Sequence, residues 1–546
     1  DGSYLEGQDM WHLSGIHRDV YLVSTPKVFV SDHYITSTLN NNATGGKMNV
    51  ALTIDNRDKQ KTTKHISVTL ADSKGKVVAT KAIDIATNDS ETKTTANVEL
   101  DALQALTPWS TENPYLYTVI IKQDDEMVFS TKYGFRRIEQ VGKYITINGK
   151  RVFFKGVNTQ DSHPLYGRAI DTETMLRDVE LMKQANVNIV RTSHYPRQPK
   201  MYAMFDYYGL YCMDEADVEC HAMHAISDNP LWKPAYLDRT ERMVKRDRNH
   251  PSVLFWSLGN ESGNGANFAD TYKRCHELDS RLVHYEGGME HSDLGSTMYP
   301  TIDKVIEWSD GYADKPYFIC EFAHAMGQAM GNFKEYWDII EASSGIVGGC
   351  VWDWVDQSVY LPQLAKDYIA KGYTDETIKA LKSGNGFNLY ASGYDFQDPA
   401  HVDLGYQGNF LNNGIITPDR KWNAKLTEVK HVYQNAAMRL EGKKLSIQNK
   451  NAFTNIADKY YLRYQVLKNG TVVEEGRTDC PAAGPGETGI VDIPYYTTIN
   501  EGNEYHLNVA LALKEPTAYA QRGYEVANEQ FALTARARSR TQQSSL

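Results

Sequence analysis

Between residues 26 and 138, apolar and polar residues alternate in short runs, such as Met48 to Ile54, His65 to Leu70 and Tyr115 to Ile121, with turns rich in Asn, Asp, Gly and Lys between them. A period of two without helical spacing predicts strands with one buried face, and about seven in this length predict an immunoglobulin-like β-sandwich. One alternating run, Arg18 to Ser24, precedes them. It is too little to bury a core, so residues 1–25 are expected to be the end of another domain.

After Gly142 the period changes. Arg151 to Asn158 predicts a buried strand, and Asp171 predicts the cap of a helix with Met175, Val179 and Met182 on one face. Strands are then predicted at 188–193, 210–216, 253–259, 282–287, 296–299, 317–321 and 347–354. Helices from Pro199, Pro234, Ala266 and Asn332 alternate with them. Eight such strands predict a central (β/α)8 TIM barrel over residues 139–436, with a closing helix from Ala424 to Gln434 and an insertion of about 60 residues after the eighth strand. Alternation returns over 437–535 as a second immunoglobulin-like β-sandwich, and the polar tail 536–546 is expected to be disordered.

The ends of the eight barrel strands carry the candidate chemistry. In order they finish in Asn158, Gln160, Asp161 and His163; Arg191, Ser193 and His194; Asp214, Glu215, Asp217, Glu219 and His221; Asn260 and Glu261; Glu286; Tyr299; Glu321 and His324; and Trp352, Asp353, Trp354 and Asp356. One polar strand end is ordinarily structural, whereas eight at the same end imply a polar pocket at the barrel mouth. Glu261 and Glu321 each follow an apolar run. Two carboxyls facing across a barrel mouth can divide acetal hydrolysis into two steps, with their separation deciding between retention and inversion. Asn260 is placed to bond a sugar 2-hydroxyl, Tyr299 to bond the nucleophile, and Trp352 to offer an apolar face to a ring.

Composition narrows the classes. The chain has 546 residues with a net charge of −11, and its one arginine cluster is the short tail Arg536, Arg538, Arg540, which disfavours nucleic acid as a partner. No apolar run approaches the length of a membrane span. Six scattered cysteines read as buried thiols, not as a disulfide frame. The sequence begins DGSYLEG, with neither Met nor a signal-like segment, which leaves the compartment open between cytoplasm and periplasm.

Several long stretches resemble the bacterial β-galactosidases of glycoside hydrolase family 2: GSYLEGQDMWHLSGIHRDV at 2–20, SHYP at 193–196, YGLYCMDEADVECH at 208–221, RDRNHPSVLFWSLGNESGNGAN at 246–267, CEFAHAMG at 320–327, GGCVWDWVDQS at 348–358 and FLNNG at 410–414. The resemblance implies a retaining exo-β-galactosidase acting on a terminal galactoside or oligosaccharide, with Glu321 as nucleophile and Glu261 as acid/base. It implies a Mg2+ site from Glu219, His221 and Glu261, and a Na+ site from Asp9, the Phe410 carbonyl and Asn413. It also implies sugar contacts from His194, His324 and Trp352, and it leaves room for a homo-oligomer, since sandwich domains of the family often meet between subunits.

The sequence departs from the pattern in two ways. Neutral Gln160 stands where the best-known members have a histidine after strand one. By the same resemblance, residues 1–25 are expected to be the tail of the family's N-terminal sugar-binding jelly-roll, and the C-terminal domain of the larger members is expected to lie outside this sequence. Other readings therefore stay open: the same chemistry on a β-glucuronide, a β-mannoside or a polysaccharide-derived oligosaccharide, or an inactive carbohydrate-binding chain.

Overall fold

The computed structural model describes residues 2–360, 390–393 and 408–534. Most of the expected insertion and the whole tail 536–546 lie outside the described residues. The chain divides into two compact units, Asp1–Val179 with Val187–Leu426, and Glu180–Asn186 with Thr427–Leu546.

The first unit opens with a short helix α1 (Gly2–Leu5), followed by strands β1 (Val28–Leu39), β2 (Gly45–Asn56), β3 (Thr62–Ala71), β4 (Val77–Thr87), β5 (Lys93–Gln104), β6 (Tyr117–Gln123) and β7 (Glu126–Tyr133). They form two antiparallel sheets, ordered β1-β2-β5 and β4-β3-β6-β7. Alternation does what the pattern predicts: Met48, Val50, Leu52 and Ile54 bury one face of β2 against Ile66, Val68, Val119 and Ile121 of the facing sheet. The expected strand at Arg18 to Ser24 is not one. Val20 and Leu22 are exposed and the segment joins no ladder, because an alternating run needs a neighbouring strand to accept its hydrogen bonds.

A small sheet of β8 (Ile138–Val141), β9 (Tyr144–Ile147) and β10 (Lys150–Arg151) leads into the barrel. The barrel strands are β11 (Phe154–Asn158), β12 (Ile189–Arg191), β13 (Tyr211–Glu215), β14 (Val253–Ser257), β15 (Leu282–His284), β16 (Gly295–Met298), β17 (Tyr317–Phe322) and β18 (Ile346–Val351). All pairs are parallel, and the order runs β15-β14-β13-β12-β11-β18-β17-β16. Helices α2 (Thr172–Gln184), α3 (Pro199–Tyr208), α4 (Lys233–Asp247), α5 (Ala266–Leu278), α6 (Ile302–Glu307) and α7 (Phe333–Ala342) fill the connections, and the Asp171 carboxylate caps α2 by accepting from Thr174 N–H at 2.7 Å. Helix α6 was not expected, because six residues are too few for a helical period to stand out.

The barrel is nearly closed: β15 and β16 share no ladder, and only a 3-10 turn, Met289–His291, links them. Side chains bridge the gap. Asp293 accepts from Val283 N–H at 2.7 Å, and Ser296 Oγ lies 2.9 Å from His284 Nε2. Burial and the charge of Arg191 push His284 down to about 3. After β18 come a two-stranded ladder, β19 (Val359–Tyr360) with β20 (Tyr390–Ala391), and helix α8 (Ala424–Val432).

The second unit is a sandwich of β21 (Ala436–Glu441), β22 (Lys444–Asn449), β23 (Tyr460–Lys468), β24 (Thr471–Asp479), β25 (Thr488–Asp492), β26 (Tyr505–Leu513) and β27 (Glu525–Ala532). Its sheets are ordered β21-β22-β25 and β24-β23-β26-β27 around a core that includes Leu445, Ile447, Leu462, Val466, Leu507 and Val509. All six cysteines are buried and unpaired, as their apolar settings predict.

Candidate active site

The floor of the barrel mouth is built around Arg191, which ends β12 and is fully buried. Its Nε and Nη2 donate to the two Glu215 oxygens at 2.8 and 3.1 Å. Nη1 donates to Asn158 Oδ1 at 3.0 Å and to Glu321 Oε1 at 2.9 Å, and Nη2 also reaches Asn260 Oδ1 at 2.8 Å. One guanidinium thus ties together the ends of β11, β12, β13, β14 and β17, a use that matches its planar fork of donors. Burial alone would raise Glu215, but Arg191 and His194 hold it down to about 2. Because Glu215 is ionised, His194 Nδ1–H donates to it at 2.6 Å, which turns Nε2 toward Glu321 Oε1 at 3.7 Å.

Glu321 sits at the end of β17 and is 5% exposed. Burial pushes its carboxyl up, while Arg191, His194 and the Tyr299 hydroxyl, which donates to Oε2 at 2.7 Å, pull it back. The His194 ring stacks on Trp352 with centroids 5.2 Å apart. The structure therefore brings Glu321, Tyr299, His194 and Trp352 into one cluster. Trp352 is buried beneath that imidazole, so its indole acts first as a platform for His194.

Across the mouth, Asn260 Nδ2 donates to Glu219 Oε1 at 3.1 Å, so both ends of an amide expected to meet a sugar hydroxyl already have protein partners. Glu261 follows with φ of 40°, and its carboxyl is about a third exposed. His221 Nε2 lies 4.0 Å from Glu261 Oε2, and the ring is more than half exposed. Glu219 is buried, and its Oε2 has no hydrogen-bond partner. Burial, then the charges of Glu261, Glu321 and Asp9, push Glu219 well above the usual carboxylate range, against the bond from Asn260.

Such a surplus of negative charge with an orphaned carboxylate oxygen is what a hard cation relieves, and two carboxylates with an imidazole suit one completed by water. Among the described residues no three His, Cys, Asp or Glu side chains are drawn into a closed ligand cluster. Glu286, at the exit of β15, is pushed up to about 7, chiefly by burial. It accepts the Glu261 backbone N–H at 2.8 Å.

The N-terminal segment lies along this rim. Leu5 and Gly7 exchange backbone hydrogen bonds with Glu219, at 2.7 and 3.0 Å, and Gln8 donates to Asp217 at 2.9 Å. Asp9 follows directly. On the opposite rim Asn413 Nδ2 donates to the Phe410 carbonyl, and His324 Nε2–H donates to Asn413 Oδ1 at 2.9 Å. Two of the three expected Na+ ligands are thus adjacent, while no hydrogen bond among the described residues joins Asp9 to either. Gln160 is buried and its Oε1 accepts from Gln357 Nε2; the Gln357 carbonyl accepts the Trp11 indole N–H at 2.7 Å.

Sequence reasoning gave Arg191, Glu215 and Glu286 no role beyond being polar strand ends. The available signal was charge at the end of an apolar strand: NIVR at 188–191 and YCMDE at 211–215 both terminate that way.

Three family models cover most of the chain: "Glycosyl hydrolases family 2" over residues 28–136, "Glycosyl hydrolases family 2, TIM barrel domain" over 138–438 and "Beta-galactosidase, domain 4" over 445–534. A β-galactosidase of Priestia megaterium is 37% identical over 98% of this chain and 52% of its own length. One from Alteromonas mediterranea is 35% identical over 98% of this chain and 51% of its own. The chain thus spans about half the length of the curated relatives it matches. Among solved structures, a family 2 glycosyl hydrolase from Bacteroides cellulosilyticus superposes with a TM-score of 0.61 at 18% identity, covering 96% of this chain and 67% of that one. A β-glucuronidase from Bacteroides uniformis gives 0.63 at 14%, covering 96% and 64%. At these identities the structural likeness speaks for the fold alone. With the barrel model alone spanning more than half of the residues, the chain belongs to glycoside hydrolase family 2.

Proposed function

We propose that this chain carries the active site of a retaining exo-β-galactosidase, with Glu321 as nucleophile and Glu261 as acid/base. The observation that carries the reading is the setting of Glu321: buried, yet bonded to Arg191 and Tyr299 and faced by His194. A buried carboxyl held by two strong donors is aimed, which is what attack on an anomeric carbon requires. Glu261, partly exposed at the opposite rim, protonates the departing oxygen while Glu321 bonds to the anomeric carbon. Glu261 then takes a proton from water as that water displaces Glu321, which restores both carboxyls and retains the configuration. When the bond between Glu321 and the anomeric carbon breaks, its electron pair returns to the Glu321 carboxylate, where the Arg191 and Tyr299 donors are already in place.

The relatives at 35–37% identity are named β-galactosidases, which supports a galactoside as the substrate. Several fold neighbours are β-glucuronidases, and a glucuronide is the competing substrate. Magnesium at Glu219, His221 and Glu261 would offset the carboxylate charge beside the acid/base. Sodium at Asp9, Asn413 and the Phe410 carbonyl would offer a hard site to a sugar hydroxyl.

The test is hydrolysis of aryl β-galactoside, β-glucuronide and β-mannoside by the wild type and Glu321→Gln. Release from the galactoside, reduced about a thousandfold or more in the variant, is expected. Preference for another sugar would overturn the substrate, and an equally active variant would overturn the role of Glu321.

A further inference from the structure

The exits of β14 and β15 are sewn together. Tyr285 donates its hydroxyl proton to the Gly263 carbonyl, Glu286 accepts from Glu261 N–H at 2.8 Å, and Asn264 donates to the Glu290 carboxylate. Behind them the Tyr285 ring stacks on Phe268 at 4.0 Å. The exit of β15 can lean over its neighbour in this way because β15 has no ladder partner in β16.

The segment so held is unusual in its backbone. Glu261 has φ of 40°, a left-handed conformation that a residue with a long side chain keeps only when its surroundings over-determine it. Its carboxyl accepts no hydrogen bond among the described residues, so the direction in which that carboxyl points is set through the main chain. On one side Asn260 is fixed by Arg191 and Glu219, and its N–H by the Val218 carbonyl at 2.9 Å. On the other, the Glu261 N–H itself donates to a Glu286 carboxyl oxygen at 2.8 Å.

We infer that Glu286 is the positioning residue of Glu261, fixing the backbone from which the acid/base carboxyl is presented to the leaving group; this rests on the retaining-glycosidase reading above. Glu286 acts through Glu261, so its loss should harm only steps in which Glu261 moves a proton. The experiment compares the wild type, Glu286→Ala and Glu286→Gln on two glycosides of the same sugar. One is a methyl glycoside, whose leaving oxygen must be protonated. The other is a 2,4-dinitrophenyl glycoside with azide, where neither departure of the phenolate nor attack by azide needs Glu261.

Glu286→Ala is expected to lower kcat/KM about a hundredfold on the methyl glycoside and less than about threefold on the dinitrophenyl glycoside with azide. Glu286→Gln, which keeps an acceptor oxygen, is expected to regain activity to within about tenfold of wild type. Equal losses on both substrates would mean a merely structural role, and no loss on the methyl glycoside would remove the role; either overturns the inference. If the wild type cleaves another sugar in place of galactose, the substrate reading fails, and the same comparison on that sugar still decides the role of Glu286.

Discussion

Arg191 is the residue on which the geometry of the mouth depends. Replacing it by Met would leave Glu215 and Glu321 buried without a countercharge, and the expected cost is about 3–5 kcal/mol in urea unfolding. The Glu215 carboxylate, held down to about 2, stabilises the fold when ionised. That contribution is on the order of 3 kcal/mol above the ordinary glutamate range and is lost as pH falls toward 2. Stability measured against pH should therefore show the gap between wild type and Glu215→Gln closing over that interval. Tyr299→Phe removes one donor from Glu321 without opening a cavity, so kcat is expected to fall about a hundredfold with little change in Tm. At this scale Glu261 and Glu321 were legible because each ends an apolar run. Arg191 was visible only as a polar strand end, because its five bonds join residues from Asn158 to Glu321 that only the closed barrel brings together.

Elements follow from local pattern where a strand has a neighbour to complete its ladder. The eight buried runs became eight barrel strands, and the alternating runs of both sandwiches became half-buried strands. Arg18 to Ser24 shows the limit, since alternation describes a surface and not a neighbour. The gap between β15 and β16 was equally invisible, because it depends on a ladder that is not formed. The join between β11 and β18 is tight: Gly348 has φ of 144°, and a Cβ there would lie 2.1 Å from the Phe154 carbonyl oxygen. Gly348→Ala is accordingly expected to cost more than about 3 kcal/mol or to prevent soluble expression, as read by thermal unfolding.

For the whole molecule, the family and the barrel flanked by sandwiches were legible in the motifs and the periodicity, while charge balance needed the structure. Glu219, Glu261, Glu286 and Glu321 crowd one mouth in which Arg191 is already shared between two carboxylates. Added Mg2+ is therefore expected to raise Tm in a concentration-dependent way, and Glu219→Gln to abolish that shift. Retention through two displacements requires a covalent bond between Glu321 and the sugar. Its most direct test is to incubate the chain with an activated 2-deoxy-2-fluoro-β-galactoside, then locate any adduct by mass spectrometry of the digested protein. One fluorosugar per chain is expected, on the peptide containing Glu321, released with retained configuration when an acceptor is added. An adduct on another residue, or hydrolysis of galactosides with inversion and no adduct, would contradict it.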